Sequence, residues 1–323
     1  MQRRDFVRGA MGVLAANTAG GCAIAGDQEA GGGAHPMDAR AFHAARRFHD
    51  SAFGRVAVLD RGVGPAALFL HGFPLSGFQW RGAIDRLQAH RRCIAPDLLG
   101  LGFTDVTPGQ SVAPNAQVEM LVELLDALQI RDADIIANDS GGAVAQLLAI
   151  RHPERVRTVL FTNCDVEPDS PPAALIPVIE LARAGRFADE WIVPWVGDHA
   201  LAQSAQGLGG LCYADPRNPT DEMIECYLEP LVGSATRKAW TNAYAVALDP
   251  NPLAGIEAQL RQCRAPARIL WGAADNIFSA DSPFYLDRIL PNSRGVRRIE
   301  GAKLFWPEEQ PDIIAEEALA LWA

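Results

Sequence analysis

The sequence has few cysteines and no excess of positive charge, and each shortage excludes a class of protein. Six of the 323 residues are cysteine, and without Cys22 an odd number remains with no short regular spacing, which excludes a disulfide framework and a zinc site. Cys93 and Cys164 lie in apolar runs and are interpreted as buried thiols, whereas pairing of Cys212 with Cys226 stays open. The net charge of −10 argues against nucleic acid or an anionic membrane surface as a partner.

Long hydrophobic runs and cofactor-binding motifs are also missing. No internal apolar run reaches the roughly 18 residues that a membrane span needs. The chain has no phosphate-binding loop, no cluster of metal-ligating residues and no dinucleotide-binding fingerprint, so no cofactor is predicted. The length allows one large core with an accessory lid.

The N-terminus differs in kind from the rest of the chain. Arg3 and Arg4 precede a mildly apolar segment, Ala10 to Ala19, which is typical of a twin-arginine export signal. Cys22 in "AGGC" would carry a lipid if the signal is that of a lipoprotein, although the usual leucine three positions earlier is absent. Residues 1–36 are therefore predicted to be an export signal and flexible tether, and the protein to be periplasmic or membrane-anchored.

Beyond the tether, short apolar runs alternate with longer helical patterns. This alternation predicts an α/β protein with a mostly parallel sheet and helices on both faces. A helix is predicted over Val118 to Ile130 from its apolar spacing. Strands are predicted at "GRVAVLD", "AALFLHG", "RCIAPDL", "DADIIAND", "RTVLFTNCD" and "ARILWGAAD".

The alternation stops between about Glu167 and Pro252. Helical segments cut by proline and glycine replace it, and the sheet pattern resumes at Ala267. We predict a core formed by residues 37–167 and 252–323. Residues 168–251 are predicted to form an inserted helical lid, called the cap segment below.

The most informative motif is "IIANDSGGAVAQ", in which a strand runs directly into a helix between small residues. A turn this sharp forces one residue into a strained conformation and thrusts its side chain out above the sheet. The pattern places Asp139 there as a nucleophile. In a register shifted by one residue Ser140 would be the nucleophile, with Asn138 where a small residue is needed. Alternatively, Asp139 only caps the helix, which leaves the flanking small residues unexplained.

Three further motifs accompany this strand-to-helix turn, called the elbow below. "HGFP" and "APDLLGLGFTD" precede the elbow along the chain, and "RHPERV" follows it. Together they resemble the α/β-hydrolase fold superfamily over most of the chain after the tether. The resemblance implies an eight-stranded, mostly parallel sheet with an inserted cap. An aspartate at the elbow resembles the haloalkane dehalogenase and epoxide hydrolase branch, whose carboxylate attacks an electrophilic carbon to form an ester that water cleaves.

The resemblance also implies roles for other residues. The backbone N–H groups of Phe73 and Ser140 would form the oxyanion hole. Asp275, just beyond a strand, would be the supporting acid, with Asp165 as the alternative. His71 is expected to shape its loop.

The catalytic histidine of this branch is missing. It normally lies in a segment that "EGAKLFWPEEQP" matches closely, but Leu304 stands at the histidine position. A serine nucleophile would be nearly inert without a base, whereas an ionised aspartate can attack unaided. Cleavage of the ester by water should then be slower by about 10²–10⁴-fold.

Three interpretations remain open. His199 of the cap segment could supply a base, Asp139 could act as a base or binding group in a non-hydrolytic reaction, or the chain could be a catalytically degenerate ligand-binding protein. As an enzyme it would hydrolyse a small apolar epoxide, haloalkane or ester. Ser140 stands where dehalogenases carry a halide-binding tryptophan, which argues against that activity. Candidate substrate-binding residues are Trp80, Trp191, Trp195, His199, Tyr213 and Tyr244.

Overall fold

The computed structural model describes residues 37–323. The predicted export signal, tether and lipidation site at Cys22 lie outside the described residues. None of the helices in the described range combines the length and apolar character that a membrane span requires.

One mixed sheet forms the centre of the described chain. Eight strands lie side by side in the order β1-β2-β4-β3-β6-β7-β8-β9. The two-residue strand β5 lies outside this row and pairs with β2. All pairs from β4 through β3 to β9 are parallel, whereas β2 pairs in antiparallel fashion with its neighbours. This confirms the predicted mostly parallel sheet. The strands are β1 Arg47–Ser51, β2 Gly54–Arg61, β3 Ala66–Leu70, β4 Arg92–Pro96, β5 Asp105–Val106, β6 Ala133–Asp139, β7 Val156–Cys164, β8 Ala267–Gly272 and β9 Ser293–Ile299.

Helices cover both faces of the sheet. Every residue of the central strands β3 and β6 is buried, as expected for parallel strands packed between two layers. The predicted helix at 118–130 begins earlier, at Pro114, whose fixed φ suits a first helical turn. The helices are α1 Ala39–Ala45, α2 Arg81–Leu87, α3 Pro114–Ala127, α4 Ser140–Arg151, α5 Ile176–Arg183, α6 Val193–Gly197, α7 His199–Ala202, α8 Leu208–Cys212, α9 Asp221–Val232, α10 Ala235–Val246, α11 Glu257–Leu260, α12 Ser282–Ile289, α13 Trp306–Glu309 and α14 Pro311–Trp322.

The cap segment contains helices α5 to α10, and no strand lies in it among the described residues. One isolated bridge pairs its residue Asp169 with Val166, just before the segment. Its helices pack on one another, α10 against α5 and α9. A buried carboxylate joins it to the core, because the hydroxyls of Tyr213 and Tyr227 and the guanidinium of Arg81 all donate to Glu308.

The cysteines of the described chain are all free thiols. Cys93 and Cys164 are wholly buried, as the sequence predicted. Cys212 and Cys226 are not joined to one another.

Candidate active site

A strained residue joins β6 to α4. Asp139 ends the strand with φ 54° and ψ −131°, a region that residues other than glycine seldom adopt, and Ser140 is the first residue of the helix. The bend is therefore at Asp139 and not one residue later. The neighbouring glycines are required for space: a Cβ at Gly141 would lie 2.6 Å from the backbone oxygens of Leu70, which ends β3, and of His71, and one at Gly142 would lie 2.3 Å from Cys164 Cβ.

The Asp139 carboxylate lies against the loop after β3. The backbone N–H of Phe73 donates to its Oδ2 at 2.6 Å. A Cβ at Gly72 would come within 2.7 Å of the same oxygen, so this loop can approach only because glycine is there. The hydroxyl of Ser140 is hydrogen-bonded to that of Tyr244 at 3.0 Å, and the Tyr244 ring stacks on Phe73 at 5.3 Å. The elbow, the loop after β3 and the cap segment thus meet at one point.

A cavity of about 170 Å³ opens above Asp139. Its wall is formed largely by the cap segment, and its only titratable side chains among the described residues are those of Asp139 and Cys212. The remaining lining is apolar or aromatic and includes Phe73, Phe187, Trp191, Trp195, Leu211, Leu248 and Leu304.

Burial and mutual repulsion disfavour ionisation of the carboxyl groups near this cavity. Burial raises the pKa of Asp139 well above its usual range, and the charges of Asp165 and Asp275 raise it further, whereas the N–H groups of Phe73 and Ser140 lower it. Burial also raises the pKa of Asp165 to about 7 and that of Asp275 to about 6. All three pKa values are therefore shifted toward the protonated form.

Buried amide side chains connect the parts of the site, and the sequence interpretation missed them. Asn163, at the end of β7, donates to Asp275 Oδ2 at 2.7 Å and accepts from the Gly272 N–H at 2.7 Å. Asn138 donates to the backbone oxygens of Asn163 and Leu304, both at 3.1 Å. The available signal for Asn163 was an asparagine near the carboxyl end of a strand predicted to be buried, "RTVLFTNCD".

An apolar side chain occupies the predicted base position. Leu304 is buried and lines the cavity, and no histidine among residues 37–323 does so. The His71 ring is committed to its loop, since Nδ1 donates to the Gly72 oxygen and Nε2 accepts from the Leu98 N–H, both at 2.9 Å. His199 lies outside the lining, 3.4 Å from an oxygen of Asp221.

The aromatic candidates fall into different places. Trp191 and Trp195 line the cavity, and Tyr244 lies behind Phe73. Trp80 is wholly buried in the core against Phe69, and the Tyr213 hydroxyl is used by Glu308, so both lie outside the lining. Residues 37–323 contain no group of three or more potential metal ligands.

Comparison with known proteins identifies the class. The family model described as the alpha/beta hydrolase fold matches residues 65–305. The chain therefore belongs to the α/β-hydrolase superfamily. An α/β hydrolase fold protein from Burkholderia ambifaria has the same fold, with a TM-score of 0.74 at 22% identity over 88% of this chain and 99% of that one.

Curated relatives include three kinds of hydrolase. The 2-hydroxy-6-oxo-2,4-heptadienoate hydrolase of Pseudomonas putida is 25% identical over 76% of this chain and 81% of its own length. Bifunctional epoxide hydrolase 2 of Rattus norvegicus is 29% identical over 57% of this chain. A haloalkane dehalogenase of Mesorhizobium japonicum is 43% identical over 30% of this chain. The last two matches span only 38% and 31% of the relatives' own lengths.

Proposed function

We propose that the chain is a hydrolase that attacks a small apolar electrophile with the carboxylate of Asp139. The observation that carries this proposal is the 2.6 Å hydrogen bond from the Phe73 N–H to Oδ2 of a carboxylate that lies at the floor of an apolar cavity. A donor fixed in this way holds one oxygen and orients the carboxylate without reorganisation during the reaction. Relatives named as an epoxide hydrolase and a haloalkane dehalogenase support the substrate class.

In the first step an Asp139 oxygen forms a bond to the electrophilic carbon. The bond to the leaving group breaks, and the leaving group takes the electron pair: a halide departs, whereas an epoxide oxygen stays on the substrate after the ring opens. An ester then remains on the protein, or a mixed anhydride if the attacked carbon is the carbonyl carbon of an activated ester. A haloalkane needs no proton in this step, whereas an epoxide oxygen must gain one. The missing histidine therefore does not prevent formation of the ester.

The second step, attack of water on the ester, is the one that Leu304 should slow. Water must lose a proton as it attacks, and the apolar side chain at this position cannot accept it. We expect an ester that accumulates and decays slowly. Because attack requires the ionised carboxylate, the rate of ester formation should rise with pH through the elevated pKa of Asp139.

The proposal is tested by intact-mass measurement after incubation with a panel of haloalkanes, epoxides and activated esters. We expect one adduct per chain with at least one compound at pH 8, less adduct at pH 5, and none in the Asp139→Asn variant. Absence of any adduct and of any turnover across the panel would exclude the proposal.

The variant Leu304→His tests the assignment of the slow step. A histidine at this position should shorten the lifetime of the adduct by about 10²–10⁴-fold, the usual contribution of general-base catalysis. The lifetime is measured by mass after removal of excess reagent, and Leu304→Phe serves as a control that adds bulk but no base. Equal lifetimes in the three proteins would show that the base position lies elsewhere.

A second candidate function is that of a ligand-binding protein without turnover. The raised pKa of Asp139 favours it, because a protonated carboxyl group binds but does not attack. Saturable ligand binding together with a complete absence of adducts at pH 8 would support this function over the first.

A further inference from the structure

Among the described residues, the carboxyl groups of Asp139, Asp165 and Asp275 have no positively charged partner. Asp139 is 8% exposed and lines the cavity, and its strongest charge interactions are repulsions by Asp165 and Asp275. Within residues 37–323, no arginine, lysine or histidine nitrogen lies within 4.0 Å of these three carboxylates, although other buried acids such as Glu308 have such partners. A buried carboxylate without a counter-charge is costly, so the site favours a positive ligand.

The aromatic side chains that line the same cavity suit a cation as well. Four aromatic rings form a continuous row along the cavity: Phe73 and Phe187 are 5.7 Å apart between centroids, Phe187 and Trp191 5.9 Å, and Trp191 and Trp195 5.6 Å. The faces of such rings attract organic cations, most strongly where water is excluded. The row begins at Phe73, whose N–H donates to Asp139, and Asp139 and the four rings line the same cavity.

We propose that the substrate of this site is a small apolar amine, whose protonated nitrogen lies between Asp139 and the aromatic row and whose electrophilic carbon is attacked by Asp139. The inference rests on the proposed function, because it names the substrate class of the same reaction. A cavity of about 170 Å³ limits the ligand to about one ring with a short chain, since roughly 150 Å³ holds one benzene molecule.

The ammonium group would also prepare the nucleophile. When a cation binds beside Asp139, the carboxyl proton leaves to solvent, and the ionised oxygen then forms its bond to carbon while the leaving group departs with its electron pair. The other titratable groups that act on Asp139 or its neighbours are Asp165, Asp275, Cys164, Cys212 and Tyr244, with Lys303 near Cys212, and burial raises the pKa of each of the first five. Binding of the amine should therefore release up to one proton near neutral pH.

The test compares an unreactive amine with its neutral isostere. Benzylamine and benzyl alcohol are titrated into the full chain at pH 7 by calorimetry, in two buffers with different ionisation enthalpies. We expect the amine to bind about tenfold or more tightly than the alcohol, with a net release of protons. Equal affinities, or binding of the amine without proton release, would overturn the inference.

The variant Asp139→Asn should bind both compounds with similar affinity, and Asp126→Asn, at an exposed carboxylate on α3, should keep the preference for the amine. If Asp139→Asn does not fold, the buffer comparison on the unaltered chain decides. The nucleophile proposal and the amine proposal can fail separately. If neutral haloalkanes form adducts but the amine binds no more tightly than the alcohol, only the amine proposal is contradicted. If the amine is preferred but no compound forms an adduct, reactive haloalkylamines included, the proposal that Asp139 is a nucleophile is contradicted.

Discussion

At the scale of the residue, Asp139 combines two destabilising features in one position. Its backbone has a conformation that costs on the order of 1–3 kcal/mol, and its carboxyl group is buried beside two others. Such costs persist where the surrounding structure holds the residue in place, and here the glycines and the Phe73 N–H do so. Strain and a perturbed pKa at one cavity-lining residue are typical of functional sites.

Asp165 offers a test of the cost of this carboxyl cluster. Its pKa is about 7 in the folded protein and about 3.9 in the unfolded chain, so the folded state retains a proton that the unfolded state releases between these values. Stability should therefore fall as pH rises through this window. Asp165→Asn removes the effect, and we expect its gain in the free energy of unfolding to be about 2–3 kcal/mol larger at pH 8 than at pH 5.

Urea unfolding at the two pH values measures this difference. Asp126→Asn, whose carboxylate is largely exposed, is the control and should show no comparable dependence on pH. A gain for Asp165→Asn that is the same at pH 5 and pH 8 would contradict the assigned direction of the pKa shift.

At the scale of the element, the loop before α13 is fixed to the cap segment. The Phe305 N–H donates to the Cys212 oxygen at 2.9 Å, and Lys303 Nζ donates to the Gly210 oxygen at 2.5 Å. Leu304 lies between these two contacts. The segment that would carry a catalytic histidine is thus held against the cavity by its neighbours, which is why a single substitution at 304 is a fair test of the missing base.

Glu308 of α13 contacts both the cap segment, through Tyr213 and Tyr227, and the core, through Arg81. Its side chain is buried and paired with Arg81, which is itself mostly buried. Glu308→Gln leaves the Arg81 charge uncompensated, and we expect a loss of about 3–5 kcal/mol in the free energy of unfolding. Glu300→Gln, at an exposed carboxylate, should change it by less than about 0.5 kcal/mol. Comparable urea midpoints for the two variants would show that the Glu308 pair contributes little.

At the scale of the whole molecule, the sequence predicted the fold well and the site in part. The strand-to-helix turn was recognisable because close approaches by the backbone of β3 and by the Cys164 side chain require glycine at 141 and 142, which leaves a visible pattern. The edge strands β1 and β9 were missed, since "RFHDS" and "SRGVRRI" are mostly polar and half-exposed and resemble loops. Contacts between distant segments, such as Asn163 with Asp275, depend on strand order, which spacing along the chain does not contain.

The first 36 residues carry a prediction for the molecule as a whole. We propose that the chain is exported through the twin-arginine signal that contains Arg3 and Arg4. Replacement of both arginines by lysine should retain the positive charge but abolish export, measured by fractionation of cells that express the full chain. A periplasmic fraction unchanged by the double substitution would contradict this route.

The central claim is that an aspartate forms a bond to carbon with no imidazole beside it. Cys212 is the other titratable side chain in the cavity, so the site of attachment must be determined. The measurement is peptide mapping of the chain after reaction with a haloalkane, before and after mild alkali. The account predicts an alkali-labile ester on the peptide that contains Asp139. An alkali-stable thioether on Cys212, with Asp139 unmodified, would contradict it.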